Sequence, residues 1–308
     1  MSGAPGRPTI SAASIRGGTP RLPPAAPGRH VVLLVLDSLR WDSLVAAAPV
    51  HLPRLGPIER RWSYATWTAP SHYNLLMGIL PHKAPPGVHG AAWHGAELRA
   101  WGERLGLDAL AVLSLGPALY LPSALRERFG YRTQAFVSLP SLNPAVPLAV
   151  GFDRYEQMPQ HNDLGAILDA LELPRHQPSF TLINTGEAHY PYLLPGDPPD
   201  DAPRLAGVHG VFGRVAAGAP LPVAEAPAFF SPERLEALRL RQVRAAAALD
   251  ALLPRLWAKM PDDSHLIVTS DHGELFGEGG YFGHGPVPHE KVLEVPFVEG
   301  RVGPHLRG

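Results

Sequence analysis

The run Val31-Val32-Leu33-Leu34-Val35-Leu36, closed by Asp37-Ser38-Leu39-Arg40, decides the fold class. Six consecutive apolar residues leave no polar face, so a strand there is buried on both sides. Strands of that kind belong to parallel sheets covered by helices, because an antiparallel sheet with one wet face alternates apolar and polar residues. Similar short runs recur at Ala135-Phe136-Val137, Phe180-Thr181-Leu182-Ile183 and Leu266-Ile267-Val268-Thr269, the last read as the final long strand. Helical stretches lie between them, with short candidates at 98–105 and 122–129. The strongest helix starts at Ser231-Pro232-Glu233, which supplies a capping hydroxyl, a proline in the first turn and an acid at the positive dipole end. Leu235, Leu238, Gln242, Ala245, Leu249, Leu252 and Leu256 then recur three or four residues apart, as one helix face requires. Pro254 is expected to kink or end it. Strands alternating with helices predict an α/β fold, a doubly wound, mostly parallel sheet with helices on both faces. Ligands of such sheets bind beyond the carboxyl ends of the strands.

Bulk properties set the outer limits. A chain of 308 residues, 45% hydrophobic, can bury the core of one large α/β domain. Its 27 basic and 28 acidic side chains give a net charge of -1, too small a field to recruit nucleic acid or an anionic membrane. No apolar run approaches the roughly 20 residues of a membrane-spanning helix. With 0 cysteines, disulfides, thiolate metal sites and a cysteine nucleophile are excluded together. Residues 1–29 are rich in Gly, Pro, Ala and Ser and hold no apolar signal core, so they read as a flexible tail. These two observations lean towards a cytoplasmic location. Residues 30–308 read as a single catalytic domain, and the Pro/Ala/Gly-rich stretch 195–227 as an insertion over its site.

Three strand ends carry chemistry. Asp37 leaves the first buried strand, where alone it reads equally as a helix cap or a satisfied turn. The strand ending at Thr269 runs into Ser270-Asp271-His272-Gly273-Glu274. There a carboxylate and an imidazole stand side by side, a donor pair common for zinc and manganese, and a glycine follows that permits a sharp turn. The third element is Thr66-Trp67-Thr68-Ala69-Pro70-Ser71-His72. Pro70 and Ser71 suit a helix start, so Thr68 is placed just before a helix N-terminus, whose free N–H groups favour anions. A hydroxyl there can be an N-cap, or an attacking group if a metal also binds it.

Taken together, these segments resemble the alkaline phosphatase/sulfatase superfamily. The likeness rests on the order of Leu36-Asp37, then Thr68-Ala69-Pro70-Ser71-His72, then Ser270-Asp271-His272-Gly273-Glu274. Leu76-Met77-Gly78-Ile79-Leu80-Pro81 with His89-Gly90, Phe129-Gly130-Tyr131-Arg132-Thr133, Gly151-Phe152-Asp153, Glu187-Ala188-His189-Tyr190-Pro191-Tyr192 and Phe282-Gly283-His284-Gly285 are similar to further stretches of that family. The resemblance spans about residues 30–298. It implies an alkaline phosphatase-like sheet with a divalent metal at its carboxyl edge, held by Asp37, Asp271 and His272. It makes Thr68 a nucleophile that also touches the metal. His189 and His284 match positions that in relatives meet the transferred group, the leaving group or a second metal, and His72 is assigned to holding the anionic group under attack.

The pattern also departs from the family. Sulfatases proper carry a Cys or Ser that becomes formylglycine, with an Arg four residues on; here these positions are Thr68 and His72, and a second acid beside Asp37 is replaced by Ser38. A hydroxyl nucleophile instead resembles phosphodiesterases and the phosphoethanolamine or phosphoglycerol transferases. The expectation is therefore a metal-dependent phosphoester hydrolase or phosphotransferase acting on a small molecule. A sulfate- or phosphonate-cleaving enzyme and a non-catalytic binding protein are the alternatives. One divalent ion is expected, zinc first, then manganese, calcium or magnesium, because no Asp-x-x-x-His segment for a second metal lies between Thr68 and Asp271; His189, His284 and Glu187 are the reserve. The chain ends soon after the last core strand, so the usual C-terminal subdomain is expected to be absent.

Overall fold

The computed structural model describes residues 30–83, 120–198, 200–201, 231–285 and 287–307. The expected tail at 1–29, the helix at 98–105, His89-Gly90 and the greater part of the stretch 195–227 lie outside the described residues.

The first apolar run forms β1 (His30–Leu36), which lies at the centre of the main sheet. It pairs in parallel with β5 (Ser179–Thr185) on one side and β6 (Ser264–Thr269) on the other. Beyond β5 follow β3 (Arg132–Val137) and β4 (Arg154–Gln157), again parallel. On the other flank β9 (Glu294–Val302) pairs antiparallel with β6 and with the edge strand β2 (Glu59–Trp62). The order is β2-β9-β6-β1-β5-β3-β4, and β9 alone runs against the rest. The mostly parallel α/β sheet is the expected architecture. The expectation that the run at Leu266–Thr269 was the final long strand is corrected: β9 is later and longer. Pro296, Glu299 and Gly300 interrupt its apolar pattern, which hides it from a reading by hydrophobic runs.

Helices cover both faces, and β1 shows why its sequence has no polar positions. Side chains alternate across a strand. Val32, Leu34 and Leu36 therefore enter one core with Leu249, Leu253, Leu256 and Trp257, while Leu33 and Val35 enter a second with Leu75, Leu76 and Leu182. The first core is capped by α6 (Pro232–Lys259), begun by Ser231, whose side chain accepts from Arg234 N. The helix does not end at Pro254 but continues to Lys259. A mid-helix proline costs about 3 kcal/mol. Leu253, Leu256 and Trp257 are each at most 2% exposed. Burying three such side chains, at about 1.5–3 kcal/mol each, outweighs that cost.

Between them lie α1 (Trp41–Ala46), α2 (Leu52–Leu55), α3 (Thr68–Leu76), α4 (Leu121–Phe129) and α5 (Leu164–Ala170). The expected helix at 122–129 is α4. A hairpin of β7 (Leu275–Phe276) and β8 (Phe282–Gly283) follows β6. It rests on an aromatic cluster of Tyr190, Tyr192, Phe276 and Phe282 against Leu235 and Leu238. No described helix is long and apolar enough to cross a membrane. Since β1, β2, β5 and β6 point the same way, one sheet edge gathers Asp37, the segment leading to Thr68, residues 186–189 and Asp271-His272.

Candidate active site

Asp37, Asp271 and His272 meet where the register of β1 and β6 predicts. Val35 stands opposite Thr269, so the carboxylates two residues further on leave neighbouring strands side by side. The three residues are at most 1% exposed, and one donor atom from each lies within 4.8 Å of the others. The chain turns at Ser38, whose φ of 62° is a left-handed conformation uncommon for a non-glycine residue. That turn aims the Ser38 N–H at Asp271 Oδ1 (3.1 Å), which also receives the N–H of His272 (2.9 Å). Asp271 Oδ2 is buried with no hydrogen-bond partner among the described residues.

His272 has a fixed tautomer. Its Nδ1–H donates to the Gly273 carbonyl at 2.8 Å, so Nε2 carries a lone pair. That atom is 3.4 Å from Asp271 Oδ2 and 3.9 Å from Asp37 Oδ1. Burial holds the His272 imidazole well below its ordinary pKa, and His284 adds to the effect. Burial also pushes the Asp271 carboxyl well up, reinforced by the charge of Asp37. For Asp37 burial works in the same upward direction, but the imidazoles of His189, His272 and His72 and the Asn184 amide outweigh it and hold the group low. Two adjacent buried carboxylates, an orphaned oxygen and a lone pair aimed at both are what a divalent cation would satisfy. The residues present fit one.

Gly273 is needed for a reason other than the expected sharp turn. A Cβ there would lie 2.1 Å from the carbonyl oxygen of Lys291, so the position demands close backbone approach. The Gly273 N–H donates to Val292 O at 2.7 Å across the same contact.

Thr68 is the first residue of α3, with Trp67 as its N-cap, one position later in the helix than expected. Pro70 sits inside the first turn, where its missing N–H has no intrahelical partner to lose. Thr68 is 6% exposed and its Oγ1 lies 3.4 Å from His272 Nε2, which brings the hydroxyl to the rim of the Asp-Asp-His cluster. His72, one turn on, is buried beneath it. Its Nδ1–H donates to Thr68 O at 2.8 Å, and its Nε2 lies 3.3 Å from Asn184 Nδ2.

His189 and His284 form an outer wall. Their rings are 5.5 Å apart, and His284 lies 4.2 Å from the His272 ring. His189 follows β5, half-buried, and donates through Nδ1 to Tyr190 O at 2.9 Å. His284 follows β8 and donates through Nδ1 to Glu274 Oε1 at 3.2 Å. Burial works against a proton on His284, but the hydrogen bond and charge of Glu274 raise its pKa above the ordinary histidine value. The other Glu274 oxygen accepts from the Tyr192 hydroxyl. Glu187 is turned elsewhere: it accepts from Leu164 N at 2.6 Å and from the Thr185 hydroxyl, so both its oxygens are engaged at the start of α5.

Four polar residues of the site escaped the sequence reading in these roles: Asn184, Glu274, Gln242 and His161. Gln242, on the inner face of α6, donates to Ser38 O at 2.9 Å and Ala188 O at 3.0 Å, tying the loop after β1 to the loop after β5. His161 lies close enough to His189 and Asp37 to feel their charges, and burial lowers its pKa. The available signal was a polar side chain at the end of an apolar run, as at Ile183-Asn184, or on an apolar helix face, as at Gln242. Buried polar groups must find partners.

No family model and no curated protein matches this chain. Solved structures do. The C-terminal periplasmic domain of EcEptC from Escherichia coli aligns over 90% of this chain and 74% of its own, with 13% identity and a TM-score of 0.52. The phosphonate monoester hydrolase of Agrobacterium radiobacter aligns over 88% and 68%, with 16% identity and a TM-score of 0.51. The periplasmic domain of phosphoethanolamine transferase EptC from Campylobacter jejuni aligns over 90% and 80%, with 14% identity and a TM-score of 0.47. Identities this low speak for architecture. The chain shares the α/β fold of the EcEptC domain and of the phosphonate monoester hydrolase.

Proposed function

We propose that this chain is a metal-dependent phosphoester hydrolase or phosphotransferase in which Thr68 forms a covalent intermediate. The observation that carries the reading is the approach of Thr68 Oγ1 to within 3.4 Å of His272 Nε2, beside two buried carboxylates of which one oxygen is orphaned. Asp37, Asp271 and His272 would hold the ion, and their mixed oxygen and nitrogen donors suit zinc or manganese better than calcium or magnesium, which prefer oxygen alone. A divalent ion bound there supplies Lewis acidity, acidifying a hydroxyl at its edge and polarising a phosphoryl oxygen.

The chain's own groups do the rest. Thr68 Oγ1, its proton lost to solvent, forms a bond to phosphorus as the ester P–O bond breaks. The free N–H groups in the first turn of α3 face the anion being attacked. His284, on which Glu274 favours a proton, gives that proton to the departing oxygen, with His189 beside it. Water or an acceptor alcohol then attacks the phosphothreonine, passes its proton to the imidazole and restores Thr68.

A phosphonate ester is the second reading, favoured by the fold shared with the Agrobacterium enzyme. Sulfate esters rank lower because a threonine cannot become formylglycine. The cytoplasmic location expected from the cysteine content is part of the proposal, and cell fractionation tests it against the periplasmic origin of the E. coli domain. The primary test is metal analysis of purified protein together with a screen of aryl phosphate mono- and diesters, aryl phosphonates and aryl sulfates. Stoichiometric metal and turnover of a phosphorus ester are expected. Metal-free protein, or turnover of sulfates alone, overturns the reading.

A further inference from the structure

We propose that His72 and Asn184 form a strut that sets the Asp37 carboxylate in register with Thr68; the proposal rests on the metal-dependent reading above. Asn184 is the penultimate residue of β5 and is fully buried between β1 and β3, opposite Val35 on one side and Val137 on the other. Its Oδ1 receives the N–H groups of Ser138 (3.3 Å) and Leu139 (3.4 Å) just beyond β3. Its Nδ2 donates to Asp37 Oδ2 at 2.9 Å and lies 3.3 Å from His72 Nε2. The amide has two N–H groups and two lone pairs, and the site offers two acceptors and two donors. Backbone N–H groups on one side and a carboxylate on the other leave only one orientation of the amide.

The imidazole is fixed in the same way. Its Nδ1 faces a carbonyl oxygen, that of Thr68, and must carry the hydrogen. Its Nε2 is then the acceptor for Asn184. The result is a continuous line from the Thr68 carbonyl through His72 and Asn184 to Asp37 Oδ2. Asp37 Oδ1 accepts from the Ser38 hydroxyl at 3.2 Å and faces His272 Nε2, 3.9 Å away. Without the strut the carboxylate keeps only the longer hydrogen bond from the Ser38 hydroxyl, and the start of α3 loses its tie to β1. His72 is 1% exposed with both ring nitrogens engaged, so it acts through Asp37 and Thr68 as a positioning residue. It has no free nitrogen to offer the anion, the role the sequence resemblance assigned to it.

A fully satisfied polar network can also serve folding alone, so the test reads metal affinity as well as stability. Zinc affinity is measured by competition with a chromophoric chelator for wild type, His72→Leu, Asn184→Leu, the double variant and His72→Gln, with melting curves to confirm folding. Each leucine variant should lose about 10–100-fold in zinc affinity, the usual consequence of removing a partner that orients a ligand. The double variant should be no weaker than the worse single one, because cutting the strut twice does no further damage. His72→Gln, whose amide oxygen can still accept from Asn184, should bind more tightly than His72→Leu. Unchanged affinity in both single variants, or losses that multiply in the double, overturns the strut. If a leucine variant does not fold, His72→Ala and Asn184→Ala carry the same comparison. Failure of wild type to bind zinc or manganese sinks the metal-dependent reading itself, whereas wild-type binding with indifferent variants sinks the strut alone.

Discussion

Asp37, Asp271 and His272 leave the ends of two adjacent buried strands and are at most 1% exposed, whereas His189 and His284 hang from loops and His284 keeps 21% of its side-chain surface open. The two halves of the site also differ in electrostatics. On the inner half, burial disfavours a second proton on His272, whose Nε2 lies beside two carboxylates. On the outer half, Glu274 outweighs burial and favours a proton on His284. Two imidazoles whose rings are 4.2 Å apart are thus driven in opposite directions by their neighbours. Under the proposed function this becomes a division of labour, in which the buried floor would hold a cation and the more open wall would deliver a proton to a leaving oxygen.

The largest expected effects fall where the halves meet. Thr68→Ala should stay folded, retain metal and lose phosphoester turnover by several orders of magnitude, since no other hydroxyl replaces the attacking oxygen. Thr68→Ser should keep part of the rate, because only a methyl group is lost. Equal rates for wild type and Thr68→Ala would shift the attack to water and remove Thr68 from the mechanism. Next comes the floor: Asp271→Ala should abolish stoichiometric metal in elemental analysis. Full metal occupancy in that variant would show that the cluster is not the metal site.

The same contrast explains what could be read in advance. Parallel strands announce themselves by uninterrupted apolar runs, so the ends of β1 and β6 mark Asp37 and Asp271-His272 at fixed register, and the sheet follows from the pattern. The antiparallel β9 could not be seen, because Pro296 and Gly300 break its run and its place beside β6 depends on pairing distant in sequence. The supports of the outer wall were equally hidden. That Glu274 turns to His284 and Tyr192, while Glu187 turns to Leu164 and Thr185, is decided by loop paths that residue types do not encode. Gln242 looked like an ordinary member of an apolar helix face. Its two bonds to carbonyls of separate loops exist only once β1 and β5 lie side by side.

An intermediate effect is expected from the wall. His284→Ala and His189→Ala should each lower turnover by about 10²–10⁴-fold, the usual range for a general acid or base, with metal content intact. Loss of metal in either variant would erase the distinction between wall and floor and make that histidine a ligand. Substrates with good leaving groups, which need no proton, should be least affected by His284→Ala. A uniform loss across leaving groups would point to substrate positioning instead.

The smallest effect concerns stability against pH, and His82 supplies a buried yardstick outside the site. It lies at the end of β2, bridged to Trp62 and packed on Tyr64 with ring centroids 4.9 Å apart. Burial lowers its pKa from 6.5 to about 4. Between those values the unfolded chain binds the proton and the folded chain does not, so the His82 contribution is complete above pH 6.5 and is lost as pH falls towards 4. For His284 the sign is reversed. Its folded pKa lies above the ordinary 6.5, so its contribution is complete below pH 6.5 and disappears as pH rises through the folded value. Melting curves of wild type, His82→Leu and Glu274→Gln across pH 4–9 test both signs, with about 2–4 °C expected per kcal/mol for a domain of this size. His82→Leu should flatten the acid side, and Glu274→Gln the alkaline side. If removing Glu274 instead steepened the alkaline loss, His284 would not be the protonated member of the pair, and the opposition between floor and wall would fail at its electrostatic root.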